Sequence, residues 1–566
     1  MTQTSNEIPQ SQPLSPTARF LWIALILSTL YLCYFHNLGV LGLVGPDEPR
    51  YAWIARDMQE TSDYITPRLY GKPWFEKPPL YYWSAALSFK LFGVSETAAR
   101  LPSAISALLA TLALAWLALR LYGAETTRWL LLLLPTTVGM LGFSHAASTD
   151  MLFAAMLTIA MIFPPKLLNL LPSSTQQTNR HAASPTPLRS FTLLTSSTSF
   201  TSFLFGLFLG LATLAKGPAA ILLSGGSVLI WALFTKRWRD AFRCLHPIAI
   251  ASFCLTALPW YILCARRNPD FFRVFIIEHN FNRFLTPEFQ HIQPFWFYFP
   301  ILLIALLPWT LALSWSAFCG ITRCLRTRQV SPITILLLSW SGFCLLFFTI
   351  SKSKLPGYIL PAVPAIGLLF ARSVASLVPQ QEKTFRWLLV AFSALSAIAF
   401  PVFLWVAQPL RRHGSAGPAL ISVACVLLLF GVANLFLANV EIRQTSFRSI
   451  APLCVAPVLL LLSTVRPLAA PWLRYDPSGK TLAAEIQNNR IPPDHLFAYS
   501  MHRGQQFSLN FYLRRETPAW DPNHPQEGYL LLNTRSCHVA PPWSCSVNPI
   551  ELGPSGWFAY EIRTQY

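Results

Sequence analysis

The chain has 566 residues, of which 53% are hydrophobic and 12% charged, and a formal net charge of +19. Its length alone would suit several soluble domains of about 150 residues each, but repeated apolar runs long enough to cross a bilayer exclude that class and indicate a polytopic membrane protein. Nucleic acid is excluded as the reason for the basicity, because Lys and Arg lie in short clusters between the apolar runs, as the positive-inside bias scatters them.

In chain order, residues 1–17 are polar and unpatterned and read as a disordered cytoplasmic N-terminus. The run Phe20–Phe35 has no small-residue cleavage site after it and reads as an uncleaved first span. Candidate spans follow at 18–36, 100–121, 128–147, 151–171, 200–215, 218–235, 244–264, 295–319, 332–350, 355–376, 386–408, 417–440 and 449–473, thirteen in all. Each is near the ~20 residues that a bilayer requires. Leu80–Phe92 is too short for a span, aromatic at one end and broken by Lys90, so it is expected to lie as an interfacial helix.

That assignment fixes the sidedness of every later loop. The clusters at Arg120, Arg180 to Arg189, Lys236 to Arg239, Arg323 to Arg328, Lys383 to Arg386 and Arg443 to Arg448 then fall in the cytoplasm, where basic residues accumulate. Arg411-Arg412-His413 is an exception on the outer side. Counting Leu80–Phe92 as a span would reverse the bias. The core domain is therefore expected over 18–473, with an outer loop at 37–99 and a Ser/Thr/Pro-rich flexible cytoplasmic loop at 172–199. From 474 to 566 a helical stretch Lys480–Asn489 and short strand-like runs at Leu496–Ser500, Gly528–Leu532 and Trp557–Ile562 indicate a small α/β domain outside the membrane. Nine of the eleven cysteines lie in or beside apolar runs, whereas Cys537 and Cys545 form a close pair in this polar tail that could bridge in an oxidising compartment.

The outer loops carry the unusual charge. Asp47, Glu48, Arg50, Glu76 and Lys77 crowd the first, and Asp150, Lys216, Glu278, His279, Arg283, Lys352 and Lys354 fall on the same side. Bland readings exist for several: Asp150 suits an N-cap, Lys216 a snorkelling cation and His279 an interfacial histidine. Together, carboxylates and cations at a membrane boundary suit a reaction on an anionic lipid, with cations holding a phosphate and a carboxylate orienting or deprotonating an attacking oxygen. No nucleotide-binding Gly-rich loop is present, so the energy of transfer must come from an activated lipid.

The motifs Pro46-Asp-Glu-Pro-Arg-Tyr51, Lys72-Pro-Trp-Phe-Glu-Lys-Pro-Pro-Leu-Tyr-Tyr-Trp83, Arg100-Leu-Pro-Ser103, Ser148-Thr-Asp150, Leu214-Ala-Lys-Gly-Pro218, Glu278-His279, Arg283-Phe284 and Ser351-Lys-Ser-Lys-Leu-Pro-Gly-Tyr358 resemble, in order, those of the bacterial aminoarabinose transferases. These belong to the wider class of membrane glycosyltransferases that includes protein O-mannosyltransferases. The resemblance covers about residues 18–370 and fades beyond 380. It implies an all-α polytopic GT-C fold with an outer α/β domain, in the bacterial inner membrane, and an undecaprenyl phosphate-linked sugar donor. It implies an inverting transfer of 4-amino-4-deoxy-L-arabinose to lipid A, which lowers surface charge and polymyxin binding. Carried over, Asp47 and Asp150 are the catalytic carboxylates. Arg50, Lys77 and Tyr358 hold the donor phosphate, with Glu48, Tyr51, Lys216, Arg283, Lys352 and Lys354 in the substrate cavity. Glu76 and His279 match a pair able to bind a divalent metal, Zn or Mg, and the protein is expected to act as a monomer. Other readings are the same fold with another sugar or acceptor, such as mannose to protein, and a non-catalytic lipid transporter. Against the transporter, the charges gather at one boundary rather than at the midplane of an inverted repeat.

Overall fold

The computed structural model describes residues 16–171, 198–282 and 292–380, scattered positions between 285 and 459, and, with short gaps, residues 478–564. Most of the expected spans 386–408, 417–440 and 449–473, and nearly all of the 172–199 loop, lie outside the described residues.

The first long apolar helix is α1 (Pro16–Tyr34), and the loop after it folds into α2 (Asp47–Thr61), a hairpin of β1 (Arg68–Leu69) and β2 (Lys72–Pro73), and α3 (Leu80–Phe92). Two carboxylates in the first turn of α2, Asp47 and Glu48, sit where the exposed N–H groups of a helix favour negative charge. α3, with 13 residues, is too short to cross a bilayer. Next come α4 (Glu96–Tyr122), whose Ser95 cap accepts the Ala98 N–H at 3.2 Å, and then α5 (Ala124–Leu133), α6 (Val138–Ser144) and α7 (Thr149–Met161).

Among the described residues seven helices are long and apolar enough to cross a membrane: Pro16–Tyr34, Glu96–Tyr122, Thr149–Leu167, Thr198–Lys216, Trp238–Arg267, Pro332–Ile350 and Pro356–Ser376. A further crossing is available to Phe295–Ala305 with Thr310–Thr327, which are bent by 112° instead of forming the straight span expected at 295–319. Ala219–Thr235 is a shorter apolar helix. The stretch 128–147 is not one helix but α5 and α6. Thr136 and Thr137 turn their hydroxyls back onto the Leu132, Leu133 and Leu134 carbonyls, and Thr137 then caps α6 by accepting the Met140 N–H.

Small residues let the helices approach. Gly206 and Gly210 lie one turn apart on Thr198–Lys216, and a Cβ at the first would run into the Ala249 carbonyl and at the second into Thr256 of the Pro247–Arg267 helix. This is the small-xxx-small packing that substitutes for hydrophobic driving force between membrane helices.

The C-terminal region carries helices Lys480–Asn488 and Arg503–Leu513 and a five-stranded sheet of β3 (Leu496–Ala498), β4 (Gly528–Leu532), β5 (Trp543–Cys545), β6 (Ile550–Leu552) and β7 (Trp557–Thr564). The order is β3-β4-β7-β5, with β6 also on β7; β3 and β4 run parallel, and the other pairs are antiparallel. Period-two alternation sends Leu531, Trp557 and Ala559 to one face, against Leu482, Ile486 and Leu509, and Leu530, Leu532, Phe558, Tyr560 and Ile562 to the other. Cys537 and Cys545 are joined in a disulfide.

This sheet domain is bolted to the loop that follows α1. Ser508 Oγ donates to the Leu43 carbonyl at 2.7 Å, the Leu43 N–H donates to Tyr512 Oη at 2.9 Å, and Tyr512 Oη donates to Glu96 at 2.9 Å. Arg56 Nη1 donates to the Phe511 carbonyl at 3.0 Å, and Lys480 pairs with Glu96 at 2.8 Å. Bonds between residues more than 400 apart in sequence thus fix the loop that carries Asp47.

Candidate active site

Two polar groups stand at the ends of the helices. In the first, α2 presents Asp47 and Arg50 one turn apart, so that the guanidinium pairs with Asp47 through Nη2 and with Glu76 through Nη1 at 2.9 Å. Arg50 is 5% exposed, while the Asp47 side chain is 46% exposed, so the carboxylate opens outward from a buried cation. Aromatic faces line the guanidinium: Tyr51 at 5.2 Å, Trp74 at 5.3 Å and Phe507 at 5.9 Å. Burial alone would lower the Arg50 pKa, but the carboxylates, Glu76 foremost, outweigh it and hold the group above its ordinary value. Lys77 Nζ stands 3.8 Å from Glu76. Beside them, burial and then the charge of Glu76 push the Tyr82 phenol up. Among the described residues, Tyr82 Oη and Arg50 Nε are buried donors with no hydrogen-bond partner.

The second group joins α7, the end of Thr198–Lys216 and the 3-10 turn Pro356–Ala362. Lys216 pairs with Asp150, and its Nζ lies 4.5 Å from the Tyr358 ring and 5.5 Å from that of Phe153. Asp150 is not an N-cap, since Ser148 holds that position, and Lys216 does not snorkel: its side chain is 10% exposed and turned to the carboxylate. Gly357 leaves room for Phe143 and Asp150 here. A Cβ on it would stand 2.8 Å from the Phe143 ring and 3.1 Å from Asp150 Cγ.

Glu48 and an aromatic wedge bring the two groups together. Glu48 accepts the Val44 N–H at 2.9 Å, the Ala147 N–H at 2.8 Å, and Arg100 Nε and Nη2 at 2.9 and 2.7 Å, so one carboxylate ties the loop of Asp47 to that of Asp150. Arg100 completes its fork on the Leu38, Leu41 and Gly42 carbonyls at 2.7, 2.7 and 2.8 Å, and all five of its N–H donors are thereby engaged. Phe75, adjacent to Glu76, packs with Leu214, Trp260, Phe271 and Phe275, which draws the ends of the Lys216 helix and of the π-helical segment Arg273–Asn282 to the same place.

The remaining expected residues are distributed less evenly. Tyr51 is buried against Tyr81 and Tyr82 at 5.9 and 5.8 Å. Glu278 pairs locally with Arg273. Lys352 is exposed, and Lys354 is buried with its Nζ donating to the Ser351 carbonyl at 2.6 Å; burial, and then Lys352, lower its pKa. Arg283 lies outside the described residues. His279 is half-buried on the π-helical segment. Among the described residues no three His, Cys, Asp or Glu side chains gather as a ligand set. Glu76 already faces two cations, so a divalent metal there would have to compete with Arg50 and Lys77. The described residues at this place do not make a metal site.

Sequence reasoning missed four contributors. Phe507 comes from the C-terminal helix and has no local signal. Gly357 and Arg100 lie within the motifs but only packing gives them a task. Tyr298 donates its hydroxyl to the Leu355 carbonyl at 3.2 Å, which ties the start of the Tyr298–Ala305 helix to the segment just before Tyr358.

A helical membrane bundle with a polar site at the helix ends and a small sheet domain docked over it defines a membrane glycosyltransferase of the GT-C fold. Residues 20–275 match the family model described as dolichyl-phosphate-mannose-protein mannosyltransferase. The chain is 30% identical over 524 residues to the undecaprenyl phosphate-α-4-amino-4-deoxy-L-arabinose arabinosyl transferase of Edwardsiella ictaluri, covering 86% of this chain and 88% of that one. It is 30% identical to that of Aeromonas salmonicida over 79% and 76% of the two chains. The crystal structure of ArnT from Cupriavidus metallidurans bound to undecaprenyl phosphate superposes with a TM-score of 0.73 at 21% identity, over 97% of this chain and 98% of that one, which shows a shared fold. The chain belongs to the undecaprenyl phosphate-aminoarabinose arabinosyl transferase family.

Proposed function

We propose that this chain is an inverting glycosyltransferase that moves 4-amino-4-deoxy-L-arabinose from undecaprenyl phosphate to a phosphate of lipid A on the outer face of the bacterial inner membrane. The observation that carries the reading is the open Asp47 carboxylate held by a buried Arg50, with Glu76 and Lys77 beside it, in a chain of this family. An acceptor phosphate oxygen attacks the anomeric carbon, the bond from that carbon to the donor phosphate oxygen breaks, and the electron pair leaves on undecaprenyl phosphate. Arg50 and Lys77 stabilise the charge that develops there, and the Tyr82 and Arg50 Nε donors, without a partner among the described residues, suit an anion with oxygens to satisfy. An ionised phosphate has no proton to remove, so Asp47 acts by offsetting positive charge building at the sugar ring, and aligns the acceptor only through the cations it pairs with. A hydroxyl acceptor would instead make Asp47 a general base.

The N-terminus is cytoplasmic in this reading, with the site and the sheet domain periplasmic. The Cys537–Cys545 disulfide, which needs an oxidising compartment, and the side on which the basic loops gather support it.

The test is the mass of lipid A from cells that lack their own aminoarabinose transferase and are supplied with this protein or with Asp47→Asn. A pentosamine-sized gain with the wild type, lost in the variant, is expected together with a return of polymyxin resistance. Wild-type protein in the membrane with unmodified lipid A refutes the acceptor and sugar, and turns attention to the hydroxyl-directed mannosyl transfer that the family-model match over 20–275 favours.

A further inference from the structure

We propose that Arg503, on the C-terminal sheet domain, binds the phosphate of the acceptor and carries it to Asp47, so that the domain is part of the acceptor site. The inference rests on the transferase reading and adds the residue that receives the acceptor.

The first ground is position. Arg503 opens the Arg503–Leu513 helix, and its neighbour Gly504 lies flat on the chain just before Asp47: a Cβ on Gly504 would stand 2.9 Å from the Gly45 carbonyl carbon and 3.2 Å from its Cα. Only glycine allows that approach, and it sets Arg503 beside the start of α2. Three further bonds, from Ser508, Tyr512 and Arg56, hold the same helix against the loop. The second ground is the shared ring. Phe507 lies one turn along from Arg503, and its face meets the Arg503 guanidinium at 5.2 Å and the Arg50 guanidinium at 5.9 Å. One aromatic plate therefore separates an exposed cation from the buried cation that pairs with Asp47.

The third ground is charge. A phosphate nucleophile approaching this mouth meets the carboxylates of Asp47 and Glu76, and like charges so placed oppose it. Arg50 pairs with both of them, Lys77 stands beside Glu76, Lys216 pairs with Asp150, and Lys354 is turned onto the Ser351 carbonyl. Arg503 is exposed and pairs with no carboxylate among the described residues. Its planar fork fits two oxygens of a phosphate monoester, and its cation–π contact with Phe507 holds the head in place without using an N–H.

The experiment measures initial rates with purified full-length protein, undecaprenyl phosphate-aminoarabinose as donor and bis-phosphorylated lipid A as acceptor, varying each in turn. For Arg503→Ala the acceptor KM should rise about tenfold or more, the loss expected for one charge-assisted contact, with the donor KM within about twofold of wild type. Arg503→Lys should recover part of the loss. An acceptor KM that stays at the wild-type value overturns the inference. So does an equal rise in both KM values, which would make Arg503 a brace for the loop. If the wild type forms no pentosamine-modified lipid A, the transferase reading fails and the inference with it; a working wild type isolates failure to Arg503.

Discussion

Replacing Glu48 by Gln separates a structural role from a substrate-contacting one. Both carboxylate oxygens are in use: Oε1 receives Arg100 Nε and the Ala147 N–H, and Oε2 receives Arg100 Nη2 and the Val44 N–H. Glutamine keeps one acceptor and turns an NH2 toward two donors, which leaves one backbone N–H opposed and Arg100 without its countercharge. The side chains are 9% and 5% exposed, so water does not screen the loss. Removing one partner of such a buried pair costs about 3–5 kcal/mol. Three carbonyls still receive Arg100, which places the cost toward the lower end, but a buried N–H left unpaired adds roughly 1–3 kcal/mol. Against a typical total of about 5–15 kcal/mol, Glu48→Gln should melt well below wild type. Thermal unfolding in detergent, followed by tryptophan fluorescence, reads the shift. A double-mutant cycle with Arg100→Gln should return a coupling of about 0.5–3 kcal/mol, as for residues in contact. Unchanged melting together with a raised donor or acceptor KM would refute the reasoning and return Glu48 to the substrate cavity.

Two further outcomes follow from single contacts. Gly357→Ala should fold but displace Phe143 or Asp150, with an overpacking cost of about 1–3 kcal/mol and a fall in kcat of tenfold or more; unaltered kcat in the rate assay would remove Asp150 from the reaction. Asp63 is held below its ordinary value. Its burial works against that, but the Ile65 and Thr66 N–H groups, Arg267 and Arg68 overcome it, with Oδ1 3.1 Å from both the Ile65 nitrogen and Arg267 Nη1. A depressed folded pKa gives stability that is complete above the unfolded value of about 3.9 and is lost as pH falls through the lower folded value. Asp63→Asn should therefore flatten the melting-point curve in that acid range, and an unchanged curve from pH 5 to the acid limit, on the scale of about two units, would refute the assignment.

How legible the site was depended on distance along the chain. The loop after the first apolar helix announced itself, because five charges in a 12%-charged apolar chain have few structural uses. The Cys537–Cys545 bridge was legible because the two cysteines lie eight positions apart in the polar tail. Adjacent acidic residues were harder to separate. Asp47 and Glu48 differ by a rotation of about 100° around α2, which leaves one open and the other buried on Arg100, and residue type alone does not say which. Hydropathy also passed over the break at Thr136-Thr137, since threonines that hydrogen-bond to preceding carbonyls suit an apolar run as readily as a turn. Phe507 and Arg503 stood beyond reach, because what places them near Arg50 is the docking of a separate domain.

Arg50 and Arg100 show why two arginines at one boundary do different work. Arg100 directs all five N–H donors to fixed acceptors, three backbone carbonyls and the two oxygens of a carboxylate equally committed, so nothing can replace them without dismantling the loop. Arg50 pairs with Asp47 and Glu76 through its terminal nitrogens, ring faces line it without consuming further donors, and its Nε has no partner among the described residues. Lys216 follows the same design, with Asp150 on one side and the Tyr358 and Phe153 rings around it. A cation positioned by aromatic faces can exchange a carboxylate for a phosphate as a substrate arrives and leaves, without its side chain having to move. A transferase that receives and releases anions at each turnover requires that exchange, and a brace such as Arg100 would prevent it.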